Sequence, residues 1–542
     1  MESMKELQLK NIRSLKDTGL IPISPITLLV GENSSGKSTF LRIFPLLKQS
    51  IQKKTNGPIL WAGDIDDYVD FGSFEEAVTN DGSKSMCISF SFDVRLDEVL
   101  PRYYWSLARF ITYDEAIKVK YTIQIDKMGE EEREFVSSLS VELNNTFIQL
   151  ERLQEADTTI SVDNKKVPFT PVSDDSFKET ESYFLWRSYS GRSIFGIQMP
   201  AIASWVFKGF KDKSKGIKAF EEDRDYNEPA LFIIGEALIH ELSLKDIRAT
   251  FCKNDSETKK NSKRGIATPI RKQVGILLDW IDSLPEDEKQ NQIRNIKLLY
   301  FYLNYFAIEE YIRVYFSQVH YMAPIRATAE RYYRLRNSAI DEVDHQGKNL
   351  AIFLNSLPET RLTQFQDWTA KHFGFRSSVS RTEGHLSIEI NRIGHDERIN
   401  LSDTGFGYSQ ILPIITQLWE LSSRKVNSKN DGQIVPLVVA IEQPELHLHP
   451  AMQARLAESF IACVDLAKDN GYSLQLLLET HSETMINYFG RAIAKRKIAS
   501  NDITVVLFER DEKTNQSIAT ISNYDSDGFL TNWPIGFFAP ED

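Results

Sequence analysis

Cysteine is scarce in this 542-residue chain: Cys87, Cys252 and Cys463 lie far apart and form no CxxC or metal-type spacing. That excludes a disulfide scaffold and a zinc-ribbon fold, and it fits a reducing compartment. Positive charge is not in excess either. Seventy-six acidic against 64 basic residues give a net charge of −12, so any nucleic-acid contact must come from a local basic patch. No apolar run approaches the ~18 residues of a membrane span, and the start, MESMKELQLKNIRSL, has no signal-peptide apolar stretch. Internal repeats and sustained heptads are also missing, which argues against a solenoid or a long coiled coil. What remains is ordinary globular composition, 42% hydrophobic and 26% charged, enough for several domains of roughly 150 residues. A soluble cytoplasmic protein is expected.

The first fifty residues read strand, turn, strand, loop, helix. Ile26-Thr27-Leu28-Leu29-Val30 is a buried-type strand that runs into GENSSGKST, after which Phe40, Leu41, Ile43, Phe44 and Leu47 recur at helical spacing. Between Met86 and Val167 the alternating stretches CISFSFDV, IKVKYTIQI, SLSVELNNTFIQL and TTISVDNKKV predict an antiparallel sheet. From Ser182 to Phe316 the pattern is helical, with Asn291–Ser317 the longest candidate. Strand patterns return at His320–Pro324, His385–Ile390, Val435–Ile441, Leu474–Leu478 and Ile503–Glu509. Helical stretches separate the last three, the βαβ sign of a parallel sheet.

Gly31-Glu32-Asn33-Ser34-Ser35-Gly36-Lys37-Ser38 matches GxxxxGK[ST] in full, with a strand before it and a helix after. Its glycines let the backbone curl so that N–H groups point at phosphate oxygens beside the positive end of the helix. Lys37 supplies a point charge for β- and γ-phosphates, and the Ser38 hydroxyl can ligand Mg²⁺. Ile434–Glu445 is an apolar strand ending in acids. It places Glu442 where a carboxylate can hold Mg²⁺ through water. The next residue, where a water-activating Glu is usual in such sites, is Gln443. A neutral amide orients water but accepts no proton, so Glu445 is the candidate substitute and hydrolysis is expected to be slow.

Leu401–Gln410 (LSDTGFGYSQ) is a small-residue loop before an apolar helix: a capped helix start, or a second anion site at a helix N-terminus. It lies about forty residues before the Glu442 strand, the order in which ABC-type chains carry their signature loop. His481, after the Leu474–Leu477 strand, reads as a structural histidine alone and as a γ-phosphate sensor in this order of motifs. His447 and His449 share a strand face, but no third ligand lies near, so a metal site is not expected there. His449-Pro450 is taken as a loop closing onto a second copy.

In the order LQLKNIRSL, GENSSGKST, YMAPIRA, LSDTGFGYSQILPI, VVAIEQPELHLHP, ETHSE and DGFLTNWPIGFF, the chain resembles the ABC/SMC-like ATPases of prokaryotic defence systems. Among these it looks most like the PtuA-type subunits of Septu and retron systems, which are related to the OLD family. OLD nucleases continue into a Toprim domain, whereas here only some thirty residues follow the last strand candidate, and no nuclease centre is expected. The resemblance implies ATP and Mg²⁺ as cofactors. Asn33, Ser34, Ser35, Gly36, Lys37, Ser38 and Thr39 would bind phosphate, with Arg13 a further nucleotide contact or a plain surface arginine. Ser38 and Glu442 would hold the metal. Ser402, Gly405 and Gly407 would act in trans across a homo-oligomer of paired heads, and His481 would be the switch. The glutamine of the usual Q-loop is not evident: Gly72-Ser73-Phe74 stands near its place.

The expected architecture is α/β: an ABC-like P-loop ATPase head with a mostly parallel sheet, plus an antiparallel β-lobe and an inserted helical domain. Its expected segments are 1–80 and 319–542 for the head, 81–170 for the lobe and 171–318 for the helices. By the same resemblance the partners are an HNH nuclease (PtuB) and, in retron versions, a reverse transcriptase with its branched RNA–DNA (msDNA), with no membrane. The basic stretches Lys208–Lys218, Lys259–Lys272, Arg326–Arg336 and Arg491–Lys497 are solvated faces or, where Tyr332 and Tyr333 interleave with arginines, places to stack bases. The rival readings are an SMC-like DNA-repair ATPase, an OLD-like nuclease and, less favoured, a transporter ATPase.

Overall fold

The computed structural model describes residues 3–95, 116–167, 224–252, 268–335 and 340–533, apart from short breaks at 54, 56, 65–66, 80–83, 129–132, 152–157, 341, 427–434, 512–513 and 515. In chain order the strands begin β1 (Glu6–Ile12), β2 (Leu15–Asp17), β3 (Ile21–Pro22) and β4 (Ile26–Gly31), followed by helices α1 (Lys37–Gln52) and α2 (Phe74–Ala77). Then come β5 (Ser85–Val94), β6 (Ile117–Met128), β7 (Arg133–Leu143), β8 (Thr146–Glu151), β9 (Thr159–Val162) and β10 (Lys165–Val167). Helices α3 (Arg224–Ile239), α4 (Leu244–Phe251), α5 (Thr268–Ser283) and α6 (Glu286–Ser317) follow. After β11 (Val319–Met322) and β12 (Tyr333–Arg334) stand α7 (Leu350–Ser356), α8 (Glu359–Phe373), β13 (Phe375–Thr382), β14 (His385–Arg392) and β15 (Arg398–Asn400). The chain continues through α9 (Phe406–Ser423), β16 (Val435–Glu442), α10 (Pro450–Asp469), β17 (Tyr472–Glu479), α11 (Glu483–Ala494), β18 (Ile503–Arg510) and β19 (Ser517–Ser522).

The described chain divides into two compact units. One comprises residues 2–52, 61–82 and 315–542. Its centre is five parallel strands in the order β11-β16-β17-β4-β18, extended on the β18 side by β19, β2, β1 and β3, where most pairings are antiparallel. Parallel strands are covered on both faces, and β4 obliges: all six residues of ITLLVG are buried. A second, antiparallel sheet of β12, β14, β13 and β15 belongs to the same unit. Its β13–β14 hairpin turns through Glu383 and Gly384, both at positive φ, which matches the twist of the flanking strands. One hydrophobic cluster joins Leu28 and Val30 of β4 with Trp419 of α9, Phe460 of α10 and Phe489 of α11. Arg361 lies 4.3 Å over the Trp419 ring and donates to Glu420, so even the polar edge of this core is tied down.

The other unit comprises 53–60 and 83–314, with Met1 assigned to it. Its sheet is an antiparallel meander, β5 to β10 in order, with a register irregularity at Gln124/Ile125. Inward residues Ile88, Phe90, Tyr121, Ile123, Leu139, Val141, Ile148 and Leu150 are buried on the alternating pattern seen in the sequence. Strands and helices belong to one core: Phe92 of β5 stacks on Tyr311 of α6 at 4.1 Å, and the hydroxyls of Tyr121 and Tyr305 meet, with Glu309 accepting from Tyr305 at 2.6 Å. The described parts of the expected β-lobe and helical domain fall in this one compact unit, which also takes in 53–60. Two further differences are plain. Helix α6 starts at Glu286 rather than Asn291, and β19 follows the strand at Ile503–Arg510 that had been expected to be the last. Most of the expected helical stretch before residue 224 lies outside the described residues.

Candidate functional site

The site grows from the carboxyl ends of β4, β17 and β16, the edge of a parallel sheet where ligands bind in open α/β folds. β4 ends at Gly31 (φ +140°), whose Cβ, if present, would stand 2.0 Å from the Phe508 carbonyl oxygen. Gly36 (φ +102°) is equally constrained, a Cβ there meeting Leu15 at 2.7 Å. Both glycines of the motif are thus required by left-handed backbone and close approach. Between them Glu32, Asn33 and Ser34 are exposed, while Ser35 is buried, its hydroxyl donating to the Glu32 carbonyl at 2.8 Å. Ser35 therefore ties the loop internally. Helix α1 starts at Lys37, and its first-turn N–H groups have no acceptor within the helix. The Lys37 ammonium, 3% exposed, donates to the carbonyls of Gly31, at 3.0 Å, and Glu32. Burial pushes it below its ordinary value, against the pull of Glu479 and Glu32. A buried cation held by loop carbonyls, in a loop whose two ends require glycine, fits a bound phosphate chain.

In the parallel register Glu442 and Glu479 stand side by side. Their carboxylates do different things. Glu442 is 2% exposed and fully engaged: Arg42 of α1 donates to it twice, at 2.6 and 2.7 Å, and the Tyr321 hydroxyl donates at 2.7 Å. Its backbone carbonyl accepts from Arg326 at 2.9 Å. Glu479, on the strand next to β4, accepts from the Ser38 hydroxyl at 2.8 Å. Burial and the neighbouring Glu442 charge push the Glu479 carboxyl up to about 7. Glu479, Arg42 and Tyr321 were not singled out in the sequence. Glu479 had a local signal, an acid at a strand end like Glu442, whereas Arg42 sat inside an apolar helix pattern.

Beyond Glu442 the chain turns sharply. Gln443 adopts φ +43° and donates its N–H to the Glu479 carbonyl at 2.8 Å, which pins the ends of β16 and β17 together. Glu445 accepts from the His481 N–H at 2.7 Å, and burial raises its carboxyl above the ordinary range. The His481 side chain is exposed, and partial burial with the nearby Lys37 ammonium lowers its imidazole below the ordinary value. Glu442, Gln443, Glu445, His481, Lys37 and Ser38 are thus brought to one edge. Thr39 is buried in the first turn of α1.

Arg13 takes another course. At φ +51°, its guanidinium lies 4.2 Å over Phe71 and reaches the Asp70 carbonyl at 3.4 Å. Ser73, near the expected Q-loop, caps α2 in a capping box with Glu76. Gly405 and Gly407 lie at the start of α9, while Ser402 sits in the preceding 3-10 turn (Leu401–Asp403), its hydroxyl donating to Asn400 at 2.8 Å. Gly405, at φ +84°, is the exposed N-cap with no side-chain capping bond, and a Cβ there would meet nothing within 4 Å. Phe406 beside it is 57% exposed, its ring 5.7 Å from His447. His449 is exposed, and its Nδ1 caps α10 by accepting from Ala451.

Of the basic stretches, Lys208–Lys218 lies outside the described residues, as does most of Lys259–Lys272. Within Arg326–Arg336, Arg326 is buried against β16 and Arg331 pairs with Asp403 of the signature-like loop at 2.7 Å. Arg326 is enclosed in the head, whereas Arg331 remains largely exposed beside Asp403. Among the described residues no cluster of three His, Cys, Asp or Glu could by itself hold a metal ion. No described helix is long and apolar enough to cross a membrane.

A phosphate-binding loop between a buried parallel strand and a helix, with acids at the adjoining strand ends, defines a P-loop ATPase head of mixed α/β fold. The chain belongs to the AAA ATPase domain family, whose model matches residues 4–486. No curated protein sequence matches it. Among solved structures it is similar to the SMC head domain from Thermotoga maritima, at 12% identity and a TM-score of 0.33, over 96% of this chain and 98% of that one.

Proposed function

We propose that this chain binds ATP with Mg²⁺, hydrolyses it slowly, and closes two copies of its head around nucleotide. The observation that carries the first part is the Lys37 cradle with Ser38 and Glu479 beside it. Ser38 with the carboxylates at the adjoining strand ends would hold Mg²⁺, which would supply positive charge against the charge of the phosphates. The protein's part is to hold the chain of phosphates with backbone N–H groups and Lys37, and to orient water with Gln443 and Glu445. Slow turnover is supported by the amide at 443, which cannot take the proton of an attacking water. Closure in trans is supported by the uncapped, exposed start of α9, where Gly405 offers backbone N–H groups to an anion on another copy. His481 lies within the field of Lys37, as a γ-phosphate sensor would.

We assign the chain to the regulatory ATPases of antiphage systems of the Septu or retron type. In that role it controls a separate HNH nuclease and, in retron versions, holds a reverse transcriptase with its RNA–DNA. This rests on the ordered set of motifs at both ends of the chain. The tests are direct. Lys37→Ala should abolish binding of a fluorescent ATP analogue, and unchanged affinity refutes the phosphate-loop assignment. Light scattering should show ATP-dependent doubling of mass that Ser402→Arg prevents; doubling that persists in Ser402→Arg removes the trans role. Co-purification of an HNH protein encoded in a neighbouring reading frame, with phage protection that needs Lys37, supports the defence role. ATPase stimulation by plain duplex DNA without such a partner favours an SMC-like repair ATPase instead.

A further inference from the structure

Two acids end adjacent strands, and the fold has separated their work. Both oxygens of Glu442 have partners: Oε1 accepts from Arg42 and Tyr321, and Oε2 accepts from Arg42. Glu479 is one strand nearer to β4 and is 4% exposed. Its Oε1 accepts from Ser38, and its Oε2 is buried with no hydrogen-bond partner. A buried carboxyl oxygen left without a partner is costly, and such an atom at a ligand site points to what it lacks. The hydroxyl of Ser38 donates its hydrogen to Glu479, which leaves its lone pairs free for a cation. A hard divalent cation takes oxygen donors of this kind. The glutamine that would otherwise complete the metal's protein ligands is not evident near Gly72, where Ser73 is spent on a helix cap.

We propose that Glu479 is a protein ligand of the nucleotide-borne divalent cation, through Oε2, while Glu442 is a positioning residue that fixes α1 to the strand ends through Arg42 and Tyr321. This rests on the ATP-binding reading above. In the bound state Oε1 keeps the Ser38 hydrogen bond, so the two neighbouring groups meet the metal as one unit. Glu442, held by Arg42, sets where α1 begins and hence where Lys37 and Ser38 stand.

The test uses the full-length chain and a fluorescent ATP analogue, titrated in Mg²⁺ and again in EDTA. Wild type should bind more tightly with Mg²⁺. Glu479→Gln should lose at least about tenfold of that metal-dependent gain while its affinity in EDTA is kept. Glu442→Gln should weaken binding equally in both conditions. A full Mg²⁺ gain in Glu479→Gln overturns the inference and leaves ATP binding standing. A wild-type chain that binds no nucleotide in either condition overturns the functional reading and this inference with it. A measurement on the wild type alone covers the case in which a variant fails to fold. A crystal with Mn²⁺ and a non-hydrolysable ATP analogue should show manganese at ligand distance from Glu479, and manganese held by Glu442 with Glu479 remote overturns the proposal.

Discussion

The head and the meander unit bury charge in opposite ways. In the meander unit the titratable groups of the core serve packing: Tyr121 and Tyr305 meet at their hydroxyls, Glu309 accepts from Tyr305, and burial drives both phenols far above their ordinary range. In the head the charged groups gather at one sheet edge, and several are left with a pairing incomplete: Arg326 has two buried donors without partners, and Glu445 and Glu479 one oxygen each. The Tyr300 hydroxyl of the meander unit is also buried without a partner, but among the described residues the charged groups with open pairings gather at the sheet edge of the head.

The sharpest way to break this contrast is Lys37→Ala. It should weaken nucleotide binding by more than about a hundredfold, with the melting temperature unchanged, as read by fluorescence titration and calorimetry. A comparable loss of binding from a meander-unit substitution such as Phe92→Ala would erase the division of labour. Gln443→Glu comes next. A carboxylate that can take the proton of the attacking water should raise turnover about a hundredfold in a phosphate-release assay, and the left-handed backbone there suits Glu as well as Gln.

Arg42→Ala should cost about 3 kcal/mol in denaturant unfolding, because the buried Glu442 carboxyl loses two donors. Phe92→Ala should cost a similar ~3 kcal/mol through the cavity left against Tyr311, with nucleotide affinity intact. The smallest effect belongs to Glu342 in the head. Burial alone would raise its carboxyl, but His320, Lys48 and Tyr68 reverse this and hold it at about 2. A depressed carboxyl stabilises the fold above its unfolded value and loses that contribution as pH falls toward 2. Glu342→Gln should therefore be less stable than wild type at pH 7 by about 1 kcal/mol, small because the side chain is 39% exposed. The difference should shrink between pH 4.5 and 2 in urea midpoints.

The sequence made the phosphate loop legible because its chemistry is local: eight consecutive residues, a strand before and a helix after. The alternating stretches of β5 to β9 were legible for the same reason, since period two is a short-range signal. Arg42 and Glu479 were not, because their meaning depends on partners about 400 and 440 positions away, Glu442 and Ser38 respectively, brought in by the parallel pairing of β16, β17 and β4. Pattern reading also separated the lobe from the helices, since it sees the change of period but not the stacking of Phe92 on Tyr311. Arg331 in the basic stretch pairs with Asp403, about seventy positions away, a contact no local pattern announces.

The hydrogen bond from the Gln443 N–H to the Glu479 carbonyl has a mechanical consequence. It clamps the tips of two strands whose next residues lead into Glu445 and into His481, and those two are themselves joined. A movement imposed on either tip is therefore shared by the other, so that pressure from a docked second copy on the 443–449 turn would be felt at His481 without any rearrangement of the sheet behind it.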